Sequence, residues 1–153
     1  MNDKLKLTGK VNIKLFGPDG SLKEERTVKN LVVNDGLDFI TARMTGTSQT
    51  VMTHMGIGSG NTAAAAAQTD LVSLLGSKVA LDSTTRTGSN NESIEYVATF
   101  GAGVSTGSVV EAGLFNNATA ATGDMLCRTV FATVGKGAGD SLILTWTVTL
   151  AAS

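Results

Sequence analysis

The residues with the most chemistry in this chain are few and scattered. His54 is the single histidine, and in principle it offers a general base, a metal ligand or a pH-sensitive interface group. No cysteine or second histidine lies near it in sequence, so a structural or surface place is expected. Cys127 is the only cysteine, which excludes an intrachain disulfide. On a strand it reads as a small inert hydrophobe rather than a nucleophile. Glu111 is a lone carboxylate, whereas glycoside hydrolysis needs two at a defined separation. Its expected partner is Arg128 in the neighbouring strand, a cross-strand pair worth a few tenths to about 1 kcal/mol. Gly56 to Asn61, GIGSGN, has glycines like a phosphate-cradling loop. It lacks the Lys-Ser/Thr pair of a P-loop and the spacing of a dinucleotide fingerprint, so turn formation is the better account. Asp82 and Glu92 do not belong to an ordered calcium-loop series. No catalytic centre, metal or cofactor is expected.

The elements that would carry these groups are strands. Leu142, Leu144, Trp146, Val148 and Leu150 fall at every second position of SLILTWTVTL. Before this segment come MLCRTVFATV and VVEAGLFN, separated from it and from each other by short Gly/Asn/Asp-rich turns. The three read as an antiparallel meander from Val109 to Leu150. Ile94, Tyr96, Ala98 and Phe100 alternate in the same way. Lys4 to Phe16 reads as a strand pair or one strand bulged at Gly9. GPDG then turns the chain into a returning strand over Ser21 to Val33. Asn34 or Asp35 is placed to cap a two-turn helix from about Gly36 to Met44, with Leu37, Ile40 and Met44 at helical spacing, plugging an open end of the core. Thr62 to Lys78 is ambiguous: five alanines favour helix by propensity, and an extended segment fits equally. About eight strands and one short helix suit a single domain, residues 1–153. The expected fold is mainly β, an antiparallel β-sandwich or jelly-roll-like domain, with an eight-stranded β-barrel as the alternative.

Charge narrows the partners. Charged residues make up 16% of the 153, against about 25% in typical domains, and the formal net charge is -1. Such a surface gives little steering toward nucleic acid, and it suits a molecule covered by copies of itself or by a larger assembly. No run is long and apolar enough to span a membrane, and MNDKLKLTGK lacks an apolar signal core. Synthesis in a reducing cytosol is therefore expected. Eighteen glycines and 21 threonines suit turns and strand faces. Two regions are candidate partner contacts. One is the lysine series Lys4, Lys6, Lys10 and Lys14, in a strand pair over residues 1–30 that reads as a solvated face, a protected edge or a docking arm for an acidic partner. The other is the apolar stretch with Thr62, Ala63, Ala64, Ala65, Leu71, Leu74 and Leu75.

From Leu31 to Leu150 the chain resembles small structural proteins of tailed-bacteriophage virions. The resembling segments include VVNDGLDFITARM, HMGIGSGNTAAAAAQTDLVSLLG, RTGSNNESIEYVATFGAG and KGAGDSLILTWTVTL. Glu111, Ala112, Gly113 and Phe115 look like the E-A-G-x-F core strand of head-decoration and tail or collar fibre domains, and Gly56 to Gly60 look like the G-x-G-x-G turn. The resemblance implies a non-enzymatic capsid decoration or cement protein, often trimeric, that clamps the outer shell of a phage head by many weak contacts to the major capsid protein. Its alternatives are a tail, collar or fibre-adaptor component on the same virion and, from another class, a carbohydrate-binding module. On this reading, deleting Met1 to Lys14 weakens capsid binding without unfolding the remaining domain.

Overall fold

A computed structural model describes residues 3–120 and 122–152. It contains two antiparallel five-stranded sheets and one helix, and no closed barrel. In chain order the elements are β1 (Leu5–Phe16), β2 (Leu22–Lys29), β3 (Leu31–Val32), α1 (Asn34–Met44), β4 (His54–Gly58), β5 (Val79–Ala80), β6 (Ser83–Thr87), β7 (Ser93–Phe100), β8 (Gly107–Phe115), β9 (Met125–Lys136) and β10 (Ser141–Ala152). One sheet runs β2-β1-β10-β7-β6 and the other β3-β9-β8-β4-β5.

The core lies between the sheets. From the first sheet come Val11, Ile13 and Leu15, then Leu142, Leu144, Trp146 and Val148, then Tyr96, Ala98 and Phe100. From the second come Met55, Ile57, Val109, Ala112, Leu114, Cys127, Phe131 and Val134. Each large apolar side chain buried in this way contributes about 1.5–3 kcal/mol. The period-two pattern of the last strand is therefore the alternation of core and outer face.

Several expectations need correction. The meander is broken, because β8 pairs with β9 while β10 crosses to the other sheet, between β1 and β7. The chain also changes sheet at Asn30, between β2 and β3. A turn signal marks a reversal, but it does not specify which sheet receives the next strand. Of the expected span, Leu5–Phe16 forms one strand with an unbroken register against β10, from Leu5 opposite Ala152 to Phe16 opposite Ser141. Gly9 is no bulge; it leaves room for the Asn30 side chain, which a Cβ there would overlap. β1 pairs with β2 and supplies Val11, Ile13 and Leu15 to the core. Removing β1 would strip β10 of one of its two partner strands and leave β2 without its own, so the Met1 to Lys14 deletion cannot test binding alone; Met1 and Asn2 lie outside the described residues.

The helix is longer than expected and is not capped by Asn34 or Asp35. Val33 occupies the cap position, and no side chain caps the helix. The Asn34 N–H is instead satisfied by the carbonyl of Ala66 at 2.8 Å, a tertiary cap. The helix buries Gly36 and Phe39, while Leu37 and Met44 of the expected apolar stripe stay exposed. It packs on β9 through Gly36, where a Cβ would overlap the Leu126 carbonyl oxygen.

Candidate functional site

The chemical centre of the molecule lies on the far side of the second sheet. There β8 is covered on both faces, because the segment from Ser59 to Lys78 folds back over its outer surface. Leu71 joins Val33, Phe115 and Met125 in a second small core, with Leu74 packed against it. The glycines of β4 and β8 make this close approach possible. A Cβ at Gly56 would touch Leu71 and Leu74, and one at Gly58 would strike the Ser73 carbonyl oxygen and the Glu111 carboxylate.

Glu111 and Arg128 hold this layer in place. Both side chains are fully buried, and Arg128 donates to Glu111 Oε2 from Nη2 at 2.7 Å and from Nε at 3.0 Å. They are diagonal neighbours, since Gly113 stands opposite Arg128 and Val130 opposite Glu111. The carboxylate also accepts from the backbone N–H groups of Gly60 at 3.1 Å, Val72 at 3.0 Å and Ser73 at 2.7 Å. Arg128 Nη1 donates to the Thr62 carbonyl and to Gln68 Oε1, each at 2.9 Å. Gln68 in turn accepts from the Ala65 N–H and donates to the Ala63 carbonyl. The alanine run is thus not helical: buried charges capture its flanking backbone groups and the Gln68 carboxamide captures two within it, which outweighs alanine propensity. A surface-type value for the pair is too small, because breaking a buried pair costs about 3–5 kcal/mol.

Other buried charges are used in the same way. Lys78 is buried, with Nζ 3.0 Å from the Thr119 carbonyl, 3.4 Å from that of Thr122 and 3.8 Å from Asp70. It also sits 3.7 Å over the Phe115 ring. Desolvation lowers its pKa, and Asp70 opposes that shift. Lys136 donates to the Gly101 carbonyl at 2.8 Å. Asp140 accepts from the Gly137 N–H at 2.8 Å and from Lys23 at 3.0 Å, contacts that hold its carboxyl below the usual range.

His54 Nδ1 lies 2.8 Å from the Thr53 hydroxyl. Cys127 is buried, and desolvation pushes its thiol well above the ordinary value. A disulfide-exchange reagent such as Ellman's should release no thiol from the native protein and one equivalent after unfolding; rapid native labelling would place Cys127 outside the core. Among the described residues no cluster of three or more His, Cys, Asp and Glu side chains is placed to hold a metal.

Of the candidate contacts, Lys4, Lys6 and Lys10 are exposed and Lys14 is half-buried. Lys6, Lys10 and Lys29 border a shallow cavity of about 520 Å³ on the outer face of the first sheet, beside Thr8, Thr147 and Thr149. Thr62, Ala63 and Ala65 are exposed and Ala64 is half-buried. Leu71 is buried within the chain, where it cannot meet a partner directly, and Leu74 and Leu75 are half-buried against the two core clusters. Sequence reasoning missed Gln68, Lys78 and Lys136, whose signal was only a polar residue in an apolar or glycine-rich stretch. Comparisons with protein-family models, curated proteins and solved structures return no match.

Proposed function

We propose that this protein is a passive structural component of a tailed-bacteriophage virion, a decoration protein that attaches to the outer shell of the head. One structural observation supports the reading beside the sequence resemblance. Glu111, Arg128, Lys78, Lys136 and Asp140, the buried charged side chains among the described residues, all hold backbone or one another. None of them lines a surface cavity described here. Charge used in this way rigidifies loops, which is the requirement for presenting a fixed attachment surface. The rings that a carbohydrate-binding module would stack against a sugar are internal: Trp146, Tyr96, Phe100, Phe115 and Phe131 are buried.

The attachment face is the lysine-bordered outer surface of the first sheet, with the exposed Thr62–Ala65 loop as a second contact. Purified virions of the cognate phage, imaged with the labelled protein, should carry it over the whole shell. Confinement to a single vertex would support the tail or collar reading instead, and absence from particles would end the virion reading. On stripped heads, Lys6→Glu with Lys10→Glu should weaken binding about tenfold or more and flatten its salt dependence, since exposed charges act through a screened field. Unchanged binding would move the contact elsewhere.

A further inference from the structure

One cavity plays no part in that reading. A groove runs between α1 and the β6, β7 and β10 strands of the first sheet. This groove, about 800 Å³, is walled by Phe39, Ile40 and Met44 of α1, by Val51 and Met52, and by Ile94, Tyr96 and Leu150 of the sheet. Its polar lining is Thr84, Arg86 and Arg43. Apolar side chains stay open to water at the rim, Met44 at 80% and Val51 at 52% exposure.

Charge complementarity selects the occupant. The two arginines come from different walls, Arg43 from the last turn of α1 and Arg86 from β6. No acid lines the groove. Arg43 donates Nη1 to the Gln49 carbonyl at 3.0 Å, a neutral acceptor, and no ion pair or hydrogen bond engages the Arg86 guanidinium among the described residues. The nearby Asp38 carboxylate accepts from the Gln49 side chain. An apolar trough of this size with a few convergent polar groups has the form of a small-molecule site. Two unneutralised guanidinium groups at its rim call for an anionic head.

We propose that this groove binds a long-chain carboxylate, the alkyl chain lying along Phe39, Ile40, Met52, Ile94 and Leu150, and the carboxylate held by Arg86 with Arg43 beside it. The site is independent of the attachment face, so its test needs only the isolated protein.

Sodium laurate below its micelle concentration is titrated calorimetrically into the full chain, with native mass spectrometry for stoichiometry. The expected result is one laurate per chain with micromolar affinity. Dodecyltrimethylammonium, of equal chain length and opposite charge, should bind at least about tenfold more weakly, and acetate should not bind measurably. Arg86→Gln, on an exposed edge strand, should weaken laurate binding about tenfold and leave the thermal midpoint unchanged. Val51→Asp, at the exposed rim, should weaken laurate binding by both repulsion and lost apolar contact. The proposal is overturned by absence of laurate binding, by equal binding of the cationic amphiphile, or by an Arg86→Gln isotherm that matches wild type. It is also overturned if light scattering finds a dimer that Met44→Glu dissolves, because a second copy would then fill the groove.

Discussion

Arg128→Ala is expected to cost about 3–5 kcal/mol of stability and to lower the thermal midpoint by roughly 10 °C. The guanidinium satisfies Glu111 twice and holds the Thr62 carbonyl and Gln68 as well. Its loss leaves a buried carboxylate without a counter-charge. Replacing a buried ion pair by apolar residues is often neutral, because two desolvation costs vanish together. That remedy should fail here. Glu111→Leu combined with Arg128→Met would orphan the buried Gly60 N–H, at about 1–3 kcal/mol, and would release the N–H groups of Val72 and Ser73 in the more exposed part of the loop. The double variant should therefore be no more stable than Arg128→Ala. Hydrogen exchange separates the two roles. Those three amides should lose protection in Glu111→Ala and keep part of it in Arg128→Ala. Full protection in Glu111→Ala would show that the carboxylate does not hold this layer down.

The second large effect runs against local propensity. Alanine at an exposed helix position stabilises by about 1 kcal/mol over glycine. At Gly36 the opposite sign is expected, with a net loss of about 1–3 kcal/mol. The added Cβ would overlap the Leu126 carbonyl oxygen and come within 3.0 Å of the Leu126 Cα, both on the backbone of β9. The Leu126 carbonyl is held by the Val33 N–H at 3.2 Å, and strand backbone cannot rotate aside as a side-chain tip can, so α1 must lift. Lifting it would also disturb the contact between the Asn34 N–H and Ala66. Gly135→Ala is the control, since nothing lies within 4 Å of the new atom. Urea midpoints compare the two directly, and a Gly36→Ala protein with a raised midpoint would show that helix and strand do not pack this closely.

These two sites mark how far the sequence could be read. Period-two alternation is a local property: a side chain must point in or out, and Leu142, Leu144, Trp146 and Val148 point in for the same reason in any sheet. The mainly β class, the apolar faces of β7 and β10, and the Glu111–Arg128 pairing follow from neighbouring strands alone. The placement of β10 in the opposite sheet does not, because Gly137 to Asp140 is compatible with a hairpin or a crossover, and burial against β1 and β7 makes the choice.

The alanine run shows the same division more sharply. Its composition left helix and extended chain equally open, since propensity is a few tenths of a kcal/mol per residue. Arg128 and Glu111, distant in sequence, fix its flanks by charge-assisted hydrogen bonds, each stronger than that preference. The glycines of GIGSGN likewise announced a turn, but only the fold shows that Gly58 and Gly60 are small because a carboxylate lies against them. The sequence by itself determined which residues face inward along each strand, because that depends on a two-residue repeat. The tertiary structure alone decided which loop the buried charges hold, because that depends on groups brought together from β4, β8, β9 and the segment between β4 and β5.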